Sequence, residues 1–275
     1  MTDSILPLPV RIAANPPTTA ARWIFGPLLP RLVAGIAIML VWEIVVRLWA
    51  PSYVAKPTTI VLAIPRVIVD PAFLNASAIT LLAVVEGLVI ALVFGTLIGL
   101  LIGRSTTADR ALRHYVNGFY AVPMVVVVPL FALWFGYSSA ARLATIVFAS
   151  LFSIIVNVSD GARSVPREYL EVARSFRSSR LPVLIEIVLP SSTPYFLAGL
   201  RLAVGRALIA AVVAEFITAI GGLGYFILYT SRTFRHDDAF VGVLLLSAFG
   251  VGVDVLVNWS TRRFLPWYRR DEKTD

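Results

Sequence analysis

Long apolar runs separated by short basic stretches containing Pro and Gly set the pattern of this chain. An α-helix rises 1.5 Å per residue, so crossing a hydrocarbon core of roughly 30 Å takes about 20 apolar residues. Six runs approach that length: Leu32 to Trp49, Ile79 to Gly103, Phe119 to Phe135, Leu143 to Val158, Pro194 to Thr218 and Ala239 to Trp259. Pro123 and Pro129 interrupt the third. The pattern predicts an all-α membrane protein with about six transmembrane helices over residues 32–260. Residues 1–31 carry Pro7, Pro9, Pro16, Pro17, Pro27 and Pro30 without a helical period, and read as a flexible tail. Residues 261–275 read as a basic tail.

Lipid tails are as apolar as Leu, so packing between spans depends on small residues that let backbones approach. Gly87, Ala91, Gly95, Gly99 and Gly103 recur every four residues on one face of the second run. Gly199, Ala203, Ala207 and Ala211 do the same on the fifth. These two helices are expected to form the packed centre of the bundle.

Charges inside spans are costly, by about 2.5 kcal/mol or more at mid-membrane, and face the bundle interior or water. Glu43 and Arg47, at i and i+4 on the first span, are placed to pair. Glu86, Arg201, Arg206 and Glu215 have no opposite charge one turn away. Arg201 is close enough to the span's end to snorkel. Arg206 lies deeper, and either pairs with Glu86 on the second span or lines a pathway for an anion.

Hydrophobic residues make up 58% of the 275 positions and charged residues 15%, which excludes an ordinary soluble enzyme. With no Cys and only His114 and His236, neither a thiolate site, a disulfide framework nor a metal centre is expected, and no cofactor is implied. The net charge of +8 follows from topology. With the N-terminus inside, the tails and the segments after the second and fourth spans hold 16 of the 24 Lys and Arg; Lys56, Arg66, Arg142, Arg232 and Arg235 fall outside. Basic segments stay cytoplasmic, so both termini are expected in the cytoplasm of a multi-pass plasma-membrane protein, and the charge is no nucleic-acid footprint.

The segment 159–193 between the fourth and fifth spans exceeds the two to eight residues usual between bundle helices. Ser164 and Pro166 suit a helix start. Tyr169, Val172, Ala173 and Phe176 then follow at i, i+3, i+4 and i+7, one apolar face on a cytoplasmic helix. Pro182 is expected to precede a second short helix ending near Pro190. The stripe must bury itself on the bundle, on lipid or on another protein.

Glu171-Val172-Ala173, three residues, Arg177, nine residues and Ile187-Val188-Leu189-Pro190 resemble the EAA motif of permease subunits of bacterial ABC importers. That motif has Glu-Ala-Ala, then Gly where Arg177 stands, then Ile, any residue, Leu and Pro. Arg177 must therefore adopt a strained backbone or shift the turn towards Ser178 and Ser179. Pro129-Leu-Phe-Ala-Leu-Trp-Phe-Gly136, Asn157-Val-Ser-Asp-Gly161, Gly199-Leu-Arg-Leu-Ala-Val-Gly-Arg206 and Gly222-Leu-Gly-Tyr225 are similar to the nitrate/sulfonate/taurine-type group. The resemblance spans Leu32 to about Trp259. It implies a type I importer transmembrane domain that forms a homodimer in the bacterial inner membrane. Cytoplasmic ATP-binding subunits and an extracytoplasmic substrate-binding protein would complete it, with Tyr169, Glu171, Val172, Ala173, Phe176 and Arg177 as the coupling segment. The solute expected is a small anion or zwitterion such as a sulfonate, taurine or nitrate.

The residues agree that this chain does not itself hydrolyse ATP. A P-loop needs Lys after Gly, and the only lysines are Lys56, after Ala55, and Lys273, after Glu272. The alternative, a secondary transporter or channel driven by an ion gradient, would show more mid-membrane carboxylates or broken helices in internally repeated halves, and no such repeat is present. A membrane enzyme would need clustered catalytic groups, and the sequence has no Cys, two His and no carboxylate cluster.

Overall fold

The computed structural model describes residues 28–51 and 53–264. They fall into two units divided at Ser52. The first contains α1, Leu28–Trp49. This helix starts four residues before the expected tail boundary, because Pro30 sits in a first turn that needs no N–H donor. Glu43 and Arg47 form the expected i, i+4 pair, with Nε donating to Oε1 at 2.6 Å. The tail assigned to 1–31 otherwise lies outside the described residues, as does the basic tail beyond Phe264.

The second unit contains α2 (Pro57–Val67), α3 (Pro71–Arg104), α4 (Thr106–Ala121), α5 (Met124–Phe135), α6 (Ser139–Arg163), α7 (Arg167–Ser175), α8 (Arg180–Thr218), α9 (Leu223–Arg232) and α10 (His236–Phe264). Asp70 caps α3 by accepting from the Ala72 amide at 2.9 Å, with Pro71 in the first turn. The 34 residues of α3 measure about 51 Å at the helical rise, longer than the hydrocarbon core. Ser105 ends α3 and caps α4, its hydroxyl accepting from the Ala108 amide at 3.2 Å.

The third expected span is not one rod. α4 and α5 meet at 99°. Pro123 has no N–H and holds Val122 extended (φ −65°, ψ 126°), which breaks the helix there. Pro129, the other expected interruption, stays inside α5. Gly136, at φ +71°, ends α5 in a conformation that Gly adopts without a Cβ penalty.

The bundle is centred on α6. A Cβ on Gly95 would stand 2.9 Å from Ile154 Cβ, one on Gly99 2.8 Å from Val158 Cβ, and one on Gly103 2.6 Å from Ala162 Cβ; Gly87 sits as tightly on Ile146. Ala91 is buried in the same seam. The small-residue stripe faces α6, and Ala203, Ala207 and Ala211 of the fifth span lie in the same buried cluster as Ala91. Gly199 on α8 packs on a neighbouring face of α6, against Asn157. The place of α6 between them follows from geometry: a glycine groove receives bulky β-branched side chains, and α6 supplies them. Residue numbers rise together along the α3–α6 seam, so these helices run parallel. They run oppositely along α6 and α8, where Gly161 meets Tyr195 and Gly199 meets Asn157.

The expected second short helix ending near Pro190 is absent; α8 runs unbroken through Pro190 and Pro194. Its segment Val183–Val188 is a π-helix, and the Leu189 amide reaches back to Leu184 O. The wider turn precedes Pro190, which cannot donate, and so lies where the α ladder must lose a bond.

Candidate functional site

Three groups of residues carry candidate roles. At the basic end of the bundle, α7 emerges from α6 through Val165 and Pro166. Ser164, expected at the start of α7, instead caps the end of α6, while Pro166 precedes the first turn of α7. Ala162, Val165 and Val188 form a small buried cluster with Leu170, Val183, Leu184 and Ile187 packed on it. Ala173 is 7% exposed, whereas Tyr169, Val172 and Phe176 are 59%, 55% and 81% exposed. The expected four-residue stripe is thus split. Ala173 turns inward with Leu170 because the short connection from α6 folds α7 back on the start of α8. Tyr169, Val172 and Phe176 face out, with Glu171 exposed beside them.

Arg177 keeps the turn at its own position, with φ +54°. Its amide donates to Arg174 O at 2.9 Å, and the Ser178 amide donates to Ala173 O at 2.9 Å. These are the two bonds of a Schellman cap, which normally places Gly at the left-handed residue. Beside it lies a groove of about 750 Å³ bordered by Arg104, Ser105, Arg174, Ser178 and Arg180. Asp109 on α4 accepts from Arg113 at 2.7 Å and from Arg163, tying α4 to the end of α6.

At the opposite end, Glu215 is fully buried. It accepts from Thr80 Oγ1 at 2.7 Å, Arg142 at 3.0 Å and the Gly224 amide at 2.7 Å. Thr80 Oγ1 in turn accepts from the Leu223 amide at 2.7 Å, and Arg142 donates to Gly221 O at 2.9 Å. Four elements, α3, α6, α8 and α9, meet on one carboxylate. Gly222 and Gly224 leave room for it: a Cβ at Gly224 would stand 2.9 Å from Oε2, and one at Gly222 2.7 Å from it. Arg142, read from sequence as an outer-loop residue, is the buried partner that the reading missed. The pair is 73 positions apart, so no local spacing announces it.

Between these ends, the α4–α5 bend, α6 and α8 border a half-open cavity of about 290 Å³. Arg206 borders it, with the guanidinium carbon 4.0 Å from the Tyr120 ring centroid. The expected partner does not meet it: Glu86 is exposed on α3 and forms no ion pair with Arg206 among the described residues. Arg201 pairs with Asp254 on α10 at 2.6 Å. Tyr120 was overlooked because its place beside Arg206 depends on the bend.

The chain matches the family model described as binding-protein-dependent transport system inner membrane component over residues 91–270. It is 30% identical over 234 residues to the formylaminopyrimidine transport permease protein ThiX of Halalkalibacterium halodurans, covering 85% of this chain and 93% of that one. It is 28% identical over 247 residues to the putative aliphatic sulfonates transport permease protein SsuC of Bacillus subtilis, covering 89% and 88%. A chain of a bacterial ABC transporter involved in importing the acidic polysaccharide alginate has the same fold, with TM-score 0.62, 15% identity and coverage of 89% and 97%. The chain therefore belongs to the family of binding-protein-dependent transport system inner membrane components, as a multi-pass permease subunit of an ABC importer in which ATP hydrolysis belongs to a separate subunit.

Proposed function

We propose that this permease works as a homodimer which carries a small anionic or zwitterionic solute inward, with α7 as the joint to ATP-binding subunits in the cytoplasm and an extracytoplasmic binding protein delivering the solute opposite. The observation that carries the reading is the outward face of α7. Three large apolar side chains, Tyr169, Val172 and Phe176, project from a helix whose other face is anchored to the start of α8. Apolar groups so exposed beside arginines suit burial in a protein groove. A push on α7 passes through Val188 into α8, the helix that carries Arg206, which in this reading lines the pathway.

Orientation follows the charge, the end bearing Arg104, Arg110, Arg163, Arg174 and Arg180 facing the cytoplasm. The relatives named for formylaminopyrimidine and aliphatic sulfonates support a small polar solute.

The test is Val172→Asp. Val172 is exposed in the single chain, so the variant inserts normally, but a carboxylate desolvated at the joint lowers affinity for the ATP-binding subunits by at least tenfold. Copurification from detergent at wild-type stoichiometry would remove α7 from this role. Ala173→Asp is a poorer probe, since it disrupts the segment's own packing.

A further inference from the structure

The cavity beside Arg206 has a lining suited to one kind of solute. Phe119, Phe148 and Phe152 form one side. Phe119 and Phe152 are stacked with centroids 5.5 Å apart, and Phe148 meets Phe152 edge-on at 5.1 Å. Tyr120 and Met124 continue the wall, and no carboxylate lines it. Arg206 rests on the Tyr120 ring. A guanidinium held over a ring through its carbon keeps N–H donors at its edge for an oxyanion.

Size and charge then select the occupant. One cation without a carboxylate is complementary to a monoanion. An apolar cavity of about 150 Å³ holds benzene, so about 290 Å³ accommodates a ring together with a charged group. An ion of four heavy atoms, such as nitrate, would use the guanidinium alone and leave the rings without contacts.

We propose that this cavity binds an aromatic monoanion, an aryl sulfonate or aryl carboxylate, with the oxyanion on the guanidinium edge of Arg206 and the ring among Phe119, Phe148 and Phe152. The assignment rests on the reading that Arg206 lines the translocation pathway, and it narrows the solute within it.

The experiment uses the permease assembled with its ATP-binding subunits in nanodiscs, without binding protein. Equilibrium dialysis with radiolabelled benzenesulfonate measures binding, and unlabelled benzoate, methanesulfonate and nitrate compete. Benzoate is expected to displace the label, with methanesulfonate and nitrate needing at least 30-fold higher concentration. Arg206→Gln should weaken benzenesulfonate at least tenfold. Phe148→Leu, which keeps an apolar side chain but removes the ring, should weaken it at least fivefold while methanesulfonate is unaffected, with size-exclusion chromatography confirming an intact complex.

Nitrate or methanesulfonate competing as well as benzoate overturns the aromatic assignment yet leaves Arg206 on the pathway. Unchanged binding in Arg206→Gln overturns both. Absence of saturable benzenesulfonate binding overturns the proposal, while uptake of any anion by the full transporter, lowered by Arg206→Gln, would still uphold the pathway.

Discussion

Arg177 shows how one residue can hold a turn against its own preference. A non-glycine residue in the left-handed region costs roughly 1–2 kcal/mol, and the two amide bonds of the Schellman cap keep it there. Gly would form the same bonds without the Cβ penalty, at some cost in unfolded-chain entropy. Arg177→Gly is therefore expected to stabilise the α7 turn by about 0.5–1 kcal/mol, seen as slower hydrogen exchange at the Ser178 amide. Faster exchange would mean that the arginine side chain, not the backbone, holds the turn. The motif spacing made this position legible; which of the two open conformations it adopts depended on the packing of Ala173. Glu215 is the opposite case. Its charge inside a span was visible, but its partner was not, since Arg142 begins a different helix. Glu215→Gln leaves Arg142 buried beside a neutral amide, and losing one member of such a pair costs about 3–5 kcal/mol. Thermal unfolding in detergent should fall accordingly, and Arg142→Met added to Glu215→Gln should restore much of it. No recovery in the double variant would show that Arg142 has a separate structural role.

At the scale of elements, the decisive fact is that the glycine groove of α3 and the small-residue face of α8 both lie on α6. The sequence advertises grooves, because glycines in register are conspicuous, but it does not advertise what fills them. Ile146, Ile154 and Val158 look like ordinary lipid-facing residues until the fold places them in the seam. That is why the part α6 plays between the second and fifth spans was not legible. The groove is tight: a Cβ at Gly95 would already lie 2.9 Å from Ile154. Gly95→Leu should therefore cost at least the 1–3 kcal/mol typical of overpacking, whereas Val93→Leu, on an exposed face of the same helix, should be nearly neutral. Yields and unfolding midpoints of the two variants provide the check. Equal tolerance would mean that α3 and α6 separate easily. The same scale explains the bend between α4 and α5. Pro123 was a legible break, but its angle, and hence the cavity beside Tyr120 and Arg206, comes from packing on α6.

For the whole molecule, the parallel run of α3 and α6 bears on a question that span counting leaves open. A pair of short helices bent by 99° could cross the membrane or enter and return on one side. Gly87 faces Ile146 and Gly103 faces Ala162, so α6 starts beside the first half of α3 and ends beside its last turn. The chain leaves α3 at Arg104 and must reach the other surface before α6 begins at Ser139. Together α4 and α5 are therefore expected to make one crossing, which brings the described helices long and apolar enough to span a membrane to six. Under the proposed orientation the basic residues at the Arg104 end face the cytoplasm. The absence of cysteine from the chain makes this directly measurable. The thiol of Ser139→Cys should react with a membrane-impermeant maleimide in intact spheroplasts, and those of Thr106→Cys and Ser178→Cys only after permeabilisation. Labelling of Ser139→Cys and Thr106→Cys from the same side would make α4 and α5 a re-entrant loop. The opposite pattern at all three positions would instead keep the six crossings and invert the protein in the membrane.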